Sequence, residues 1–117
     1  MSPKRGDRVA PPPRPEDWDV RFADTDSAKG WEELCRQAAN NTFNAWQEMR
    51  TGPAPHPMRS RHHQLRGLLA NRLVAGRSSP RWQIEVTAGG RICYAIDVER
   101  REVRITYASP RHPKATD

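Results

Sequence analysis

The sequence predicts an α+β fold in which two helices pack on one face of a small, mostly antiparallel sheet. One short segment near the N-terminus alternates apolar and polar residues, two segments with helical periodicity follow, and three more alternating segments come after them. Helices in such an order can cover only one face of the sheet. The predicted architecture is therefore one β-strand, a two-helix hairpin and a three-stranded antiparallel meander.

The composition is that of a polar globular domain. The 117 residues are 35% hydrophobic and 29% charged, which suits a single domain with a modest core. No apolar run of about 18 residues and no apolar leader occurs, and Cys35 and Cys93 lack the spacing of a metal or redox motif. We therefore expect a cytoplasmic protein with reduced cysteines, no cofactor, no metal and no membrane association.

The first strand is expected to follow a flexible tail. Residues 1–17 are rich in Pro and Arg and contain little that could be buried. The folded domain is placed at 18–117. It begins with a strand whose apolar residues alternate with polar ones, namely Trp18, Val20 and Phe22.

Two helices are predicted next, joined by a tight connection. The first has Thr25 or Asp26 as its N-cap and Gly30 as a weak point, and its apolar residues recur at helical spacing: Ala28, Trp31, Leu34, Cys35 and Ala38. The second has Asn41 or Thr42 as its N-cap and carries Phe43, Trp46 and Met49. The segment "TGPAPHP" after Arg50 ends it.

The three C-terminal strands each place three apolar residues on one face. These residues are Trp82, Ile84 and Val86, then Ile92, Tyr94 and Ile96, then Val103, Ile105 and Tyr107. Because the apolar faces of neighbouring strands must coincide, only some registers are possible. A three-residue loop at 88–90 satisfies this condition by pairing Val86 with Ile92.

The second hairpin of the meander is predicted with a four-residue loop at 98–101. This loop pairs Ile96 with Val103 and places Arg91 beside Ala108. The opposite face of the sheet is then polar and uncovered by the helices, and it carries Gln83, Glu85, Arg91, Cys93, Arg104 and Thr106.

The charge distribution indicates a polyanionic partner. The net charge is +6, and the residues 49–84 contain seven arginines and three of the four histidines but no Asp or Glu. A merely solvated surface normally interleaves acidic residues, so nucleic acid is the favoured partner. Within this stretch, 53–80 shows no clear period and is predicted to be a long basic loop, in which the segment 64–69 is a candidate for a short strand or turn.

Two motifs and the order of elements give the chain a family resemblance. The segment "WQIEVTAGGRICYAI" (82–96) has a strand-opening Trp, a Thr before a short turn, and then Arg followed by an apolar stretch with Tyr-Ala. The segment "HQLRG" (63–67) is similar to a His-x-Leu-x-Gly motif ahead of a sheet. Over about 18–112 the layout resembles the RelE/ParE superfamily of bacterial type II toxins, and the RelE/YoeB branch most closely.

The resemblance implies a ribosome-dependent mRNA endoribonuclease that inhibits translation. In that family the RNA 2′-OH attacks the adjacent phosphate without a metal, and the implied partners are a cognate antitoxin, mRNA and the ribosomal RNA. The family arginine that opens the strand after the turn would be Arg91, which would stabilise charge on the phosphate. The chain departs from the branch at Arg59, where the branch has Glu, and at Ala108-Ser109, where it has His-Tyr.

Metal-free cleavage of RNA requires a base, an acid and cations around the phosphate, and histidine and arginine suit these roles. The candidate catalytic residues are Arg91, His112, His63 and Glu85, of which Glu85 acts as a base or orients an arginine. The candidate RNA-binding residues are Arg59, Arg61, His62, Arg66, Arg81, Arg104, Arg111 and Lys114. For His62 and His63 the alternative is a surface pair on a loop.

Two other functions stay open at this point. One is a ParE-like toxin that inhibits gyrase by binding, without catalysis. The other is a non-catalytic RNA-binding domain on the same scaffold. The histidines and the segment "SPRHPK" (109–114) close to Arg91 favour the nuclease, whereas the missing Glu and the missing His-Tyr pair favour the alternatives.

Overall fold

The computed structural model describes residues 3–9, 11–66, 71–74 and 77–111. In these residues the chain forms two helices and six strands, in the order β1 (Asp19–Phe22), α1 (Thr25–Gln37), α2 (Ala39–Thr51), β2 (His62–Gln64), β3 (Asn71–Val74), β4 (Arg77–Glu85), β5 (Arg91–Asp97) and β6 (Glu102–Ser109). The predicted α+β class is confirmed. Neither described helix has the length and apolar character needed to cross a lipid bilayer.

The sheet is larger than the predicted one. Five strands lie in the order β1-β6-β5-β4-β2, and β3 pairs with the N-terminal part of β4. β1 runs parallel to β6, whereas the other pairs are antiparallel. The predicted meander is correct for β4 to β6, but the predicted loop at 53–80 contains β2, β3 and the start of β4. β2 and β3 have only three and four residues, and neither sequence alternates apolar and polar residues.

Both helices pack on the same face of the sheet. The buried core joins residues of α1 and α2 to the apolar faces of the strands, and its largest fully buried members include Tyr94, Phe22, Leu34, Met49, Ile92 and Ile105. Gly30 allows α1 to approach β6 closely, because a Cβ atom at Gly30 would lie 1.6 Å from the Ala108 carbonyl oxygen. The glycine predicted to weaken the helix therefore makes its packing on the sheet possible.

The β4–β5 register differs from the prediction by two residues. Ile84 pairs with Ile92, and Glu85 pairs with Arg91. The turn is longer than predicted because the Thr87 hydroxyl accepts the Gly90 N–H at 2.8 Å, which holds the turn together. Since a shift of two residues preserves the alternation of a strand, every side chain keeps its predicted face.

The β5–β6 register follows the prediction over only part of its length. Ile96 pairs with Val103, as predicted. A β-bulge in the middle of the strand pair then shifts the register by one residue. As a result Arg91 pairs with Ser109 rather than with Ala108.

The N-terminal segment buries more than the sequence predicts. The Val9 side chain is 2% exposed, and its backbone N–H donates to the Val20 carbonyl at 2.8 Å. The Asp17 carboxylate is also buried and accepts from the guanidinium groups of Arg14 and Arg50. These contacts correct the expectation that this segment has little to bury.

Candidate active site on the polar face of the sheet

Two rows of side chains cross the face of the sheet that is turned away from the helices, which we call the polar face. In one row the register places His63 of β2 opposite Gln83 of β4. In the next row Glu85 lies opposite Arg91. Arg61 continues this second row, because its carbonyl accepts the Glu85 N–H at 2.8 Å. The fold thus brings three predicted catalytic residues, Arg91, Glu85 and His63, onto one face.

The centre of the polar face is buried, although the sequence predicts an open face. Gln83, Cys93, Thr106 and Arg91 are all buried, and Arg91 is only 6% exposed. The side chains contact one another and the backbone: the Cys93 Sγ–Gln83 Oε1 distance is 3.6 Å, and the Thr106 hydroxyl donates to the Cys93 carbonyl at 3.3 Å. β3 also lies close to β5. A sequence alternation shows which face a residue is on but not what covers that face.

Two arginines on this face carry a buried nitrogen that lacks a partner. Among the described residues, the Nε atoms of Arg81 and Arg91 are buried and make no hydrogen bond. Both guanidinium groups act on the Cys93 thiol: burial raises the pKa of Cys93, and the two positive charges oppose that increase. A buried guanidinium N–H that makes no hydrogen bond destabilises the fold unless an anion accepts from it. This part of the face is therefore suited to an oxyanion such as phosphate.

Glu85 is placed to orient an arginine. Its Oε2 atom lies 3.4 Å from Nε of Arg61, and the two side chains are 30% and 62% exposed. With Arg91 as its cross-strand neighbour on the other side, Glu85 stands between two cations. A carboxylate in this position can hold the guanidinium groups of its neighbours, which is the orienting role considered for it from sequence.

His63 is the predicted site histidine with the geometry of a general base. The residue is half-buried, and its Nδ1 atom lies 3.1 Å from the Ser60 carbonyl oxygen. Because a carbonyl can only accept, Nδ1 carries the proton of the neutral ring, and the lone pair is on Nε2. This arrangement fixes one tautomer and leaves the Nε2 lone pair as the acceptor that a general base requires.

His62 is a buried core residue, 2% exposed, and its predicted contact with RNA stays a prediction. The Tyr94 hydroxyl donates to the Pro53 carbonyl and therefore accepts from Nε2–H of His62. Nδ1 of His62 then accepts from Arg59 at 3.4 Å, and it also lies 3.4 Å from Glu48. Burial, the largest influence, lowers the pKa of His62 and favours this neutral ring. The histidine joins the loop after α2 to the centre of the sheet.

The remaining basic candidates are less free than the acid-free stretch of sequence suggests. Several pair with acids from elsewhere in the chain: Arg59 with Glu48, Arg104 with Glu102, and Arg111 with Glu33. Arg66 is exposed and lines a groove of about 540 Å³ beside β2, and the described residues of its lining include no acid. The predicted His112 and Lys114 lie outside the described residues.

Sequence reasoning missed a second groove, between α2 and the end of β4. Its volume is about 410 Å³, and its lining comprises Asn41, Asn44, Ala45, Glu48, Arg59, Ser60, Arg61, His62, Ile84, Glu85 and Val86. Asn41 and Thr42 are inside α2, whose N-cap is Ala38, so the predicted caps are wrong. No motif marks Asn41 or Asn44 as binding residues, because only folding brings α2 beside β4.

Within the described ranges, no three His, Cys, Asp or Glu side chains form a group that could hold a metal ion. Comparisons with protein-family models, with curated proteins and with solved structures found no match for the chain. Functional inference therefore depends on the polar face itself and on the motifs that carry the family resemblance.

Proposed function

We propose that the protein is the toxin of a type II toxin–antitoxin module and acts as a ribosome-dependent, metal-independent mRNA endoribonuclease. One observation carries the proposal: the strand register gathers Arg61, Glu85 and Arg91 in one row and His63 in the next. This set supplies a phosphate-binding cation, an orienting carboxylate and a base. The order of elements from β1 to β6 and the two sequence motifs add support.

In the proposed mechanism the mRNA lies across the polar face with the scissile phosphate at Arg91. The Nε2 atom of His63 takes the proton of the 2′-OH, and the 2′-oxygen attacks the adjacent phosphorus. Arg91 and Arg81 neutralise the charge that develops on the phosphoryl oxygens. The 5′-oxygen of the next nucleotide leaves with a proton from an acid, for which His112 is the candidate. The products are a 2′,3′-cyclic phosphate and a 5′-hydroxyl.

The burial of Arg91 adds a condition to this mechanism. At 6% exposure its guanidinium cannot contact an RNA phosphate directly, so substrate binding must uncover it. Binding energy from other contacts, such as the exposed Arg61 and Arg66, would have to drive this change. Free mRNA would then be a poor substrate, and mRNA positioned on a ribosome a better one.

The proposed antitoxin would neutralise the protein by covering basic surface near the site. The groove beside β2 has Arg59, His63 and Arg66 among its lining residues, together with the exposed Met58. An acidic segment with an apolar side chain would complement such a groove. An antitoxin bound there would block the approach of RNA to His63.

The test is the addition of purified protein to a bacterial cell-free translation reaction, with mRNA ends mapped by primer extension. The proposal predicts new 5′ ends at codons in the ribosomal A site and 2′,3′-cyclic phosphates on the upstream fragments. Intact mRNA with unimpeded translation would eliminate the nuclease.

The buried centre of the polar face also favours a second candidate, a toxin that acts by binding alone. A ParE-like gyrase inhibitor needs no exposed Arg91, and the Glu expected at position 59 in the nuclease branch is replaced by Arg59. A DNA supercoiling assay distinguishes the two. Inhibition of gyrase together with intact mRNA would establish this candidate in place of the nuclease.

A further inference from the structure

The groove between α2 and β4 shares Arg61 and Glu85 with the candidate active site, but its other lining residues have no part in the proposed mechanism. Its volume of about 410 Å³ falls within the range of small-molecule sites, about 300–1,000 Å³. Its lining includes the buried apolar residues Ala45, Ile84 and Val86. The polar part of the lining comprises the amides of α2, Arg59 to His62 before and in β2, and the carboxylates of Glu48 and Glu85. Apolar surface bordered by a few polar groups is what a flat heterocycle requires.

The amides of α2 define which heterocycle would fit. Nδ2 of Asn41 donates to the Val86 carbonyl at 3.0 Å, so this contact leaves Oδ1 of Asn41 as the acceptor. Asn44 adds a second exposed amide that can donate and accept. Cytosine and adenine offer an exocyclic amino group to such an acceptor, whereas uracil presents a carbonyl oxygen at the equivalent position.

The groove also adjoins the candidate active site. Arg61 and Glu85 line it and belong to the row that contains Arg91. Two strand spacings separate Arg61 from Arg91, which is roughly 10 Å. The groove itself lies on the helix side of the sheet, so an RNA strand with one phosphate at Arg91 would pass Arg61 and turn round the β2 edge to place a nearby base against Asn44.

We infer that this groove is a nucleoside subsite, which binds one base of the RNA next to the cleaved phosphate and favours bases with an exocyclic amino group. The inference rests on the proposed function in taking RNA as the ligand. It adds to that function a location for base recognition and two residues, Asn41 and Asn44, that perform it.

The test is a ¹⁵N NMR titration of the full chain with cytidine 3′-monophosphate, uridine 3′-monophosphate and inorganic phosphate. The cytidine nucleotide is expected to shift the signals of Asn41, Asn44 and Val86 and to bind about threefold to tenfold more tightly than the uridine nucleotide, the value of about one hydrogen bond. Asn44→Ala should weaken cytidine binding by a similar factor. Asn40→Ala is the matched control, because Asn40 is an exposed α2 residue outside the groove lining.

Shifts that inorganic phosphate reproduces in full, or equal affinity for the two nucleotides, would overturn the inference. So would equal weakening by Asn44→Ala and Asn40→Ala. The inference and the proposed function can fail separately. Nucleotide binding in the groove by a protein that cuts no mRNA would retain the subsite and remove the nuclease. Cleavage whose rate and codon pattern are unchanged by Asn44→Ala would retain the nuclease and remove the subsite.

Discussion

The replacement Tyr94→Phe tests the buried contact that joins the loop after α2 to the sheet. The Tyr94 hydroxyl is the shared partner of His62 and of the Pro53 carbonyl. Its side chain is fully buried, so water cannot easily replace it. Phenylalanine keeps the ring and leaves two polar groups without a partner.

The expected decrease in the free energy of unfolding follows from these two polar groups. Each buried group left unsatisfied costs about 1–3 kcal/mol, so Tyr94→Phe should lower the free energy of unfolding by about 2–6 kcal/mol. That is a large part of the about 5–15 kcal/mol that stabilises a typical domain. With a urea m-value of about 2 kcal/mol/M, the midpoint of unfolding should fall by about 1–3 M.

Urea unfolding followed by tryptophan fluorescence measures this shift. Tyr107→Phe is the matched control, because the Tyr107 hydroxyl makes one exposed contact, 3.4 Å from the Arg111 carbonyl, and its loss should change stability by less than about 0.5 kcal/mol. A Tyr94→Phe variant as stable as the Tyr107→Phe variant would refute the assigned hydrogen bonds.

Three further predictions concern stability. Gly30→Ala should destabilise the fold by about 1–3 kcal/mol or more, despite the better helix propensity of alanine, because the new methyl group forces α1 away from β6. Burial lowers the pKa of His62, so the folding stability that its neutral ring contributes is fully present above the ordinary pKa of 6.5 and is lost as pH falls below that value. His62→Gln should flatten the resulting dependence of melting temperature on pH. Hydrogen bonds from Arg14 and then Arg50 lower the pKa of Asp17 to about 2, although burial alone would raise it. The stability that the ionised carboxylate contributes is therefore lost as pH falls from about 3.8 towards 2, and Asp17→Asn should remove this loss of stability.

Each of these predictions has a control or a contrary result. Gly52→Ala is the matched control for Gly30→Ala, because a Cβ atom at Gly52 meets nothing within 4 Å; equal effects would contradict the close packing of α1. A wild-type melting temperature that rises between pH 7 and pH 5 would contradict the neutral state of His62. An unchanged acid unfolding midpoint in Asp17→Asn would contradict the assigned role of that carboxylate.

The elements with long regular patterns could be predicted, and the details of their pairing could not. β5, β6 and the C-terminal part of β4 alternate apolar and polar residues, which fixes the face of nearly every side chain there. The bulge is invisible in sequence, and it moves Ala108 rather than Tyr107 into the core. The β4–β5 register depends on how Thr87 closes the turn, a contact that alternation does not encode.

In the candidate site, too, the faces of the long strands were predictable from sequence, whereas the contacts of short strands and distant residues were not. Arg91, Glu85 and the buried Cys93 follow from strand alternation, so their common face was predictable. The different roles of His62 and His63 were not, because β2 has only three residues. The burial of His62 depends on Tyr94, which is 32 residues away in sequence. Likewise, the pairing of Arg59 with Glu48 requires α2 to pack beside the turn before β2.

The central claim is that Arg91 on the polar face takes part in cutting mRNA. The most direct test compares Arg91→Gln with wild type in the cell-free translation reaction, with mRNA ends quantified over time. Arg100→Gln is the control, because Arg100 is an exposed loop residue whose ion pair is with Asp97. We predict A-site cleavage by wild type and Arg100→Gln, and a rate lower by about 100-fold or more for Arg91→Gln. A folded Arg91→Gln variant that cuts at the wild-type rate would contradict the account.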